Sequence, residues 1–261
     1  MLIDIGVNLT SSRFDNDRAE VVASAQQAGI TKMLITGTNV DASEQAAQLC
    51  SQFSGLYSTA GVHPHDADNV PDDYVDRLKA LLKHPKVKAV GECGLDFNRN
   101  FSSPENQQRV FAQQLQLAVE FNLPVFLHQR DAFTTWQQIL SAYTPQLAGG
   151  VSHCFTGDKP QLKQCLDMGL YIGITGWITD PKRGTELYDI ARYIPLDRVM
   201  VETDAPYLTP KNIRPKPKSS RNEPKYLHSV VDTLATAMQV DRDLLIEHAT
   251  ANSNRLFALA D

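Results

Sequence analysis

Five side chains that can bind a metal or move a proton each stand where an apolar, strand-like run stops. His63 ends the run from Ser58, Glu92 the run from Val87, His128 the run from Leu123, His153 the run from Gly149, and Asp204 the run from Val199. A carboxylate such as Glu92 can bridge two cations, whereas a neutral imidazole offers one lone pair to a single ion. A glutamate, two histidines and an aspartate make a hydrolytic-metal set. The ion polarises an ester or phosphoryl oxygen and acidifies a water, and a carboxylate takes the proton. On this reading Glu92, His128 and His153 are the ligands and Asp204 is the base. A single strand-end histidine is more often a packed rim residue; several such groups converging on one point change that reading.

Convergence needs a fold that brings strand ends together. In parallel α/β barrels the C-terminal ends of all strands meet on one rim, and such a barrel takes about 250 residues. The chain has 261 residues, 42% of them hydrophobic. Short β-like runs at 2–8, 32–36, 57–62, 87–91, 124–128, 149–153, 170–174 and 198–203 alternate with helix-like stretches near 17–29, 41–53, 71–83, 104–121, 132–143, 159–168, 184–193 and 224–238. Asp41 and the pair Ser103-Pro104 stand where capping residues belong. Eight βα units without a low-complexity linker predict one TIM (β/α)8 barrel domain over residues 1–261, with a terminal helical segment at 241–259 packed outside it. A doubly wound open sheet is the alternative.

The rest of the composition narrows the setting. No stretch approaches the roughly 20 apolar residues of a membrane span, and Met1-Leu2-Ile3-Asp4 lacks the basic start of a secretory signal. We expect a cytoplasmic monomer with no membrane partner. Cys50, Cys93, Cys154 and Cys165 show no CxxC spacing and read as buried thiols. Cys93 and Cys154 follow Glu92 and His153 directly, and neighbours on a strand point to opposite faces, so neither thiol is expected in the site.

A net charge of -5 weighs against a polyanionic partner such as nucleic acid, because Lys and Arg contacts to phosphate supply much of that affinity. Its distribution reverses part of the objection. Lys211, Arg214, Lys216, Lys218, Arg221 and Lys225 crowd one segment against Glu223 alone, just after the strand that delivers Asp204. Lys216, Lys218 and Arg221 are the expected phosphate contacts of that loop, and Arg130 is another, two residues past His128. Phe97, Phe101, Trp177 and Tyr207 also follow strand ends and could stack on bases, whereas Phe155 reads as core. An acidic body with one basic rim suits single strands or ends better than long duplex.

Six ordered segments carry a resemblance. Gly61-Val62-His63-Pro64-His65, Gly91-Glu92-Cys93-Gly94-Leu95-Asp96, Pro124-Val125-Phe126-Leu127-His128, His153-Cys154-Phe155-Thr156-Gly157, Glu202-Thr203-Asp204-Ala205-Pro206-Tyr207-Leu208 and Arg221-Asn222-Glu223-Pro224 resemble the successive signatures of the TatD family of metal-dependent deoxyribonucleases. The resemblance implies an amidohydrolase-like TIM barrel, cytoplasmic, that hydrolyses DNA phosphodiesters with a divalent cation. It further implies a 3′ to 5′ exonuclease linked to DNA repair or breakdown, with RNA left open beside DNA. Carried over by position, Glu92, His128 and His153 match metal ligands. Asp204 matches a catalytic aspartate bordering the metal, and His63 a histidine near the scissile phosphate.

One departure matters. Most members open with a strand ending in His-x-His, where this chain reads Asp4-Ile5-Gly6-Val7-Asn8. Gly6 has no side chain and Asn8 offers only an amide, so the second of two metal sites is weakened. The resemblance implies Mg2+, while two imidazoles favour Mn2+ or Zn2+. Two other readings stand beside the nuclease. One is an amidohydrolase-type enzyme acting on a small cyclic amide, lactone or phosphotriester, and the basic loop argues against it. The other is a non-catalytic binding protein, against which the intact Glu92, His128, His153 and Asp204 argue.

Overall fold

The computed structural model describes residues 1–259. Eight strands, β1 Leu2–Val7, β2 Ile30–Ile35, β3 Leu56–Ala60, β4 Val87–Asp96, β5 Val125–Arg130, β6 Gly150–Ser152, β7 Tyr171–Ile174 and β8 Val199–Val201, form one sheet in chain order, and each neighbouring pair is parallel. Each strand is followed by its helix: α1 Arg18–Gln27, α2 Val40–Gln52, α3 Tyr74–Leu82, α4 Pro104–Phe121, α5 Phe133–Ser141, α6 Lys159–Asp167, α7 Thr185–Ile190 and α8 Leu227–Met238. A last helix, α9 Arg242–Phe257, packs on β1 and β8. This is the (β/α)8 barrel that the alternating runs predict. The boundaries shift: β4 and β5 run further than expected, to Asp96 and Arg130, and β8 stops at Val201. Ser103 caps α4 as read, but α2 begins at Val40 and its cap is Asn39, whose side chain accepts from Ala42 N at 2.8 Å.

The seam between first and last strands is made by few backbone bonds. Asn8 N donates to Ala205 O at 2.7 Å and Asp204 N to Gly6 O at 2.8 Å. The buried Asp4 carboxylate spans the same gap, accepting from Thr203 N at 2.9 Å and Thr203 Oγ1 at 2.5 Å. Burial pushes its pKa up to about 7 against those hydrogen bonds. The strand-to-strand bonds thus join β1 directly to the residues around Asp204.

Two apolar clusters explain which side chains reach the open end. The smaller takes Ile3, Ile5, Leu34, Tyr57, Ala89, Phe126, Val151, Tyr171 and Met200, at least one from every strand, and fills the barrel interior in layers. The larger lies between the strands and the helices. Side chains two apart on a strand share a face. His128 follows Phe126, His153 follows Val151 and Glu202 follows Met200, so all three stand one layer above the interior plug. Glu92 breaks that parity with Ala89. The ladder slips between Val90 and Cys93, which turns Glu92 inward and sends Cys93 into the outer cluster. Gly91 permits the slip: its φ is +142°, and a Cβ there would stand 2.3 Å from Phe126 O.

Candidate metal centre

Glu92 is the hub of the strand-end groups. Its Oε1 lies 3.0 Å from His128 Nδ1, 3.0 Å from His153 Nε2 and 3.5 Å from His63 Nε2. Ligand atoms about 2.1 Å from a common ion at angles of 90–110° are roughly 3.0–3.4 Å apart, so these spacings fit first-row or zinc coordination. His63, Glu92 and His128 form a group whose ligating atoms lie within 4.8 Å of one another, and His153 approaches the same Glu92 oxygen.

Hydrogen bonds on the far side of each ring decide which nitrogen is free. His153 Nδ1 lies 2.9 Å from Glu202 Oε2, so it carries its proton there and turns the Nε2 lone pair toward Glu92. His128 Nε2 lies 3.3 Å from Asp96 Oδ2, which leaves Nδ1 facing Glu92. His63 has the opposite tautomer. Its Nδ1 accepts from His65 N at 3.0 Å, so the neutral ring keeps its proton on Nε2 and presents a donor, not a ligand. We therefore separate His63 from the ligating pair despite its proximity.

The charges agree with that division. Burial drives His63 down to about 3, with neighbouring His128 and His65 adding to the effect and Glu92 opposing it. Burial would also strip protons from His128 and His153, but Asp96 and Glu92 hold the first above the ordinary value, and Glu202 and Glu92 hold the second well above it. Burial alone would raise Glu92; the His153 and His63 rings and hydrogen bonds from His128 and His153 outweigh it and hold the carboxyl well below the usual range. A cation entering between these groups competes with protons for the same lone pairs.

Glu202 and Asp96 received no role from the sequence. Glu202 is fully buried; besides orienting His153 it accepts from Cys154 N at 2.6 Å. Asp96 holds His65 Nε2 at 2.9 Å as well as His128. Strand parity with Met200 is the sequence signal for Glu202, and Asp96 closes the segment Gly91-Glu92-Cys93-Gly94-Leu95-Asp96. Asp204 stands at the barrel seam, where its Oδ1 accepts from Asn8 Nδ2 at 2.9 Å. Asn8 thus contributes its NH2 to orient a carboxylate. Burial raises Asp204 to about 7, His153 opposing and the Glu92 and Glu202 charges adding to the rise.

The space of the other missing histidine is taken. A Cβ on Gly6 would stand 2.3 Å from Glu202 Oε2. Gly6→His is therefore expected to dislodge Glu202 at a cost of about 1–3 kcal/mol by overpacking, seen as a lower Tm, without creating a second cation site. Calorimetric titration with Mn2+ should give about one tight site in the parent protein and a weaker one in the variant. Two tight, equivalent sites in the parent would show that other side chains compensate for residues 6 and 8.

The centre opens into a cavity of about 790 Å³ whose wall includes His63, His65, Asp96, Arg99, Arg130 and Asp204. Arg130 lies where the sequence expects it, and Arg99 joins it unforeseen. Phe101 and Tyr207 stand 59% and 53% exposed at this rim, while Phe155 is buried. The basic loop divides. Lys216 lines a second, adjoining cavity, and Lys218 lines neither. Arg221 is engaged elsewhere: it makes a two-point pair with Asp17 at 2.8 and 2.7 Å and meets Glu223 at 3.0 Å. Its charge is spent on fixing the loop to the segment before α1, so it is not the free phosphate contact that the charge run implies.

A carboxylate held among imidazoles at the open end of a parallel barrel is arranged for hydrolysis, and the molecule is a barrel hydrolase. Residues 3–258 match the family described as TatD related DNase, and the chain belongs to that family. It is 48% identical over 256 residues to the 3′-5′ ssDNA/RNA exonuclease TatD of Salmonella typhimurium, covering 98% of each chain. Among solved structures it resembles the TatD homologue YJJV of Escherichia coli, with a TM-score of 0.90, 28% identity and coverage of 99% of this chain and 98% of that one. A TatD family hydrolase from Entamoeba histolytica gives a TM-score of 0.90 at 26% identity, covering 98% of this chain and 97% of that one.

Proposed function

We propose that this chain removes nucleotides from the 3′ end of single-stranded DNA, and of RNA, by cation-assisted hydrolysis of the phosphodiester bond. The observation that carries the reading is Glu92 Oε1 placed 3.0 Å from both His128 Nδ1 and His153 Nε2, with Asp96 and Glu202 fixing the far side of each ring. The polarity and the substrate class draw support from the name of the Salmonella relative.

Glu92, His128 and His153 would hold the cation, with Asp204 bordering it. Once bound there it would polarise the phosphoryl oxygen and acidify water. The protein groups do the rest. Asp204, fixed by Asn8, accepts the proton of the attacking water. His63 donates a hydrogen bond from its Nε2–H to a phosphate oxygen and keeps the proton. Arg130 and Arg99 bind phosphate from the cavity wall. One carboxylate and two imidazoles favour Mn2+ or Zn2+ on softness; Mg2+, the ion the family resemblance implies, would keep more of its water there. The four cysteines are all free thiols, which suits a reducing cytoplasm, and among the described residues no helix is long and apolar enough to cross a membrane.

Incubation with 5′-labelled single-stranded DNA or RNA under Mg2+, Mn2+ or Zn2+ should give a ladder shortening from the 3′ end. Endonucleolytic fragments, or intact substrate with every ion, would overturn the reading. The basic loop gives a second expectation. Neutralising Lys216 and Lys218 together should reduce the salt dependence of single-strand binding by at most about 1.4 units of slope. Arg221→Ala should instead lower Tm and leave the slope nearly unchanged, because its charge is already paired. A loss of about 0.7 unit of slope on Arg221→Ala alone would restore that side chain as a phosphate contact.

A further inference from the structure

A second cavity of about 730 Å³ adjoins the first, and Trp177, Tyr207 and Leu208 line both. The two differ in charge. The first carries the Asp66, Glu92, Asp96 and Asp204 carboxylates in its wall. The second is lined by Arg13, Arg183, Lys211, Arg214 and Lys216 against Asp180 alone. That aspartate is spent on its neighbour, since Oδ2 pairs with Arg183 at 3.0 Å and Oδ1 accepts from Lys182 N and Arg183 N. Lys211 and Lys216 are exposed and make no ion pair among the described residues. Between the cavities stands an aromatic step. The Trp177 indole is held by its Nε1 donating to Arg183 O at 3.0 Å and by the Arg183 guanidinium 4.4 Å over the ring.

We infer that the second cavity holds the phosphates of the strand on the 5′ side of the scissile bond, with Trp177 and Tyr207 stacking the base that passes between the two. The inference rests on the nuclease reading above. A phosphodiester entering the first cavity meets four carboxylates there against Arg99 and Arg130, so a longer polyanion gains further affinity where cations outnumber carboxylates and stand without partners. Base stacking on an aromatic platform is tolerant of sequence, as a non-specific exonuclease requires. The arrangement makes affinity depend on substrate length, because only a strand long enough to cross the Trp177 step reaches Lys211 and Lys216.

The test is a length series. Anisotropy of fluorescein-labelled phosphorothioate oligothymidylates of two to eight nucleotides is measured at 150 mM salt, where screening over about 8 Å confines the effect to local contacts. The parent protein is compared with the Lys211→Glu, Lys216→Glu double variant, whose changes fall on exposed side chains and whose fold is checked by Tm. In the parent, affinity should climb with length; in the variant it should flatten, leaving the eight-nucleotide strand bound about tenfold or more weakly. Parallel length dependence in the two proteins would overturn the inference. Cleavage of ordinary phosphodiester strands is followed separately. A parent that binds with the expected length dependence but cleaves nothing would sink the nuclease reading and leave the binding cleft standing. Cleavage with no difference in length dependence would do the reverse.

Discussion

Glu92→Ala is expected to abolish turnover, by on the order of a thousandfold or more, while leaving the barrel folded. Its carboxylate is the shared neighbour of His128 and His153, at 3.0 Å from each. Removing it takes away a negative charge and the point that sets the spacing of both rings, and several kcal/mol of transition-state stabilisation depend on a cation in that geometry. Added metal should not rescue the variant. Glu202→Gln offers the contrast: it keeps the ligands and weakens only the hold on His153 Nδ1, so it should lower metal affinity by about 10–100-fold and recover in excess metal. Turnover by Glu92→Ala at the parent rate, or by the parent in excess chelator, would sink the cation-dependent reading altogether.

Much of this arrangement was legible because two periods coincide. Eight apolar runs of strand length predict the strands, the five that end in chemistry-bearing residues predict the rim, and parity along β5, β6 and β8 lifts His128, His153 and Glu202 above Phe126, Val151 and Met200. Glu202 follows from the same counting, two residues past Met200 and two before Asp204. Other features depend on contacts that spacing does not encode. The slip in β4 that turns Glu92 inward is a register shift against β5. Arg221 finds its partner Asp17 204 residues away, so a charge run in sequence became a structural pair in space. Gly6 and Asn8 read as deletions of ligand groups; the fold shows each in use, one making room for Glu202 and the other holding Asp204.

Asp204→Asn is the second large effect, and it separates proton transfer from metal holding. The amide keeps the shape and an oxygen that can still accept from Asn8 Nδ2, now at 2.9 Å, but it cannot take a proton. General-base catalysis is worth about 10²–10⁴-fold, so kcat should fall by that much while DNA affinity and metal affinity change little. The pH dependence carries the sign. Burial raises the Asp204 carboxyl to about 7, and a base works only when deprotonated, so the parent rate should rise with pH through an acidic limb that ends near or below that value, the cation's charge drawing it lower. In Asp204→Asn the limb contributed by this group should be missing from whatever rate remains. A variant that instead loses its metal, and regains rate when metal is supplied in excess, would make Asp204 chiefly a ligand. Proton transfer would then fall to another group, and His63 would be poorly suited to it, because its Nδ1 is occupied by His65 N and its Nε2 already carries the proton.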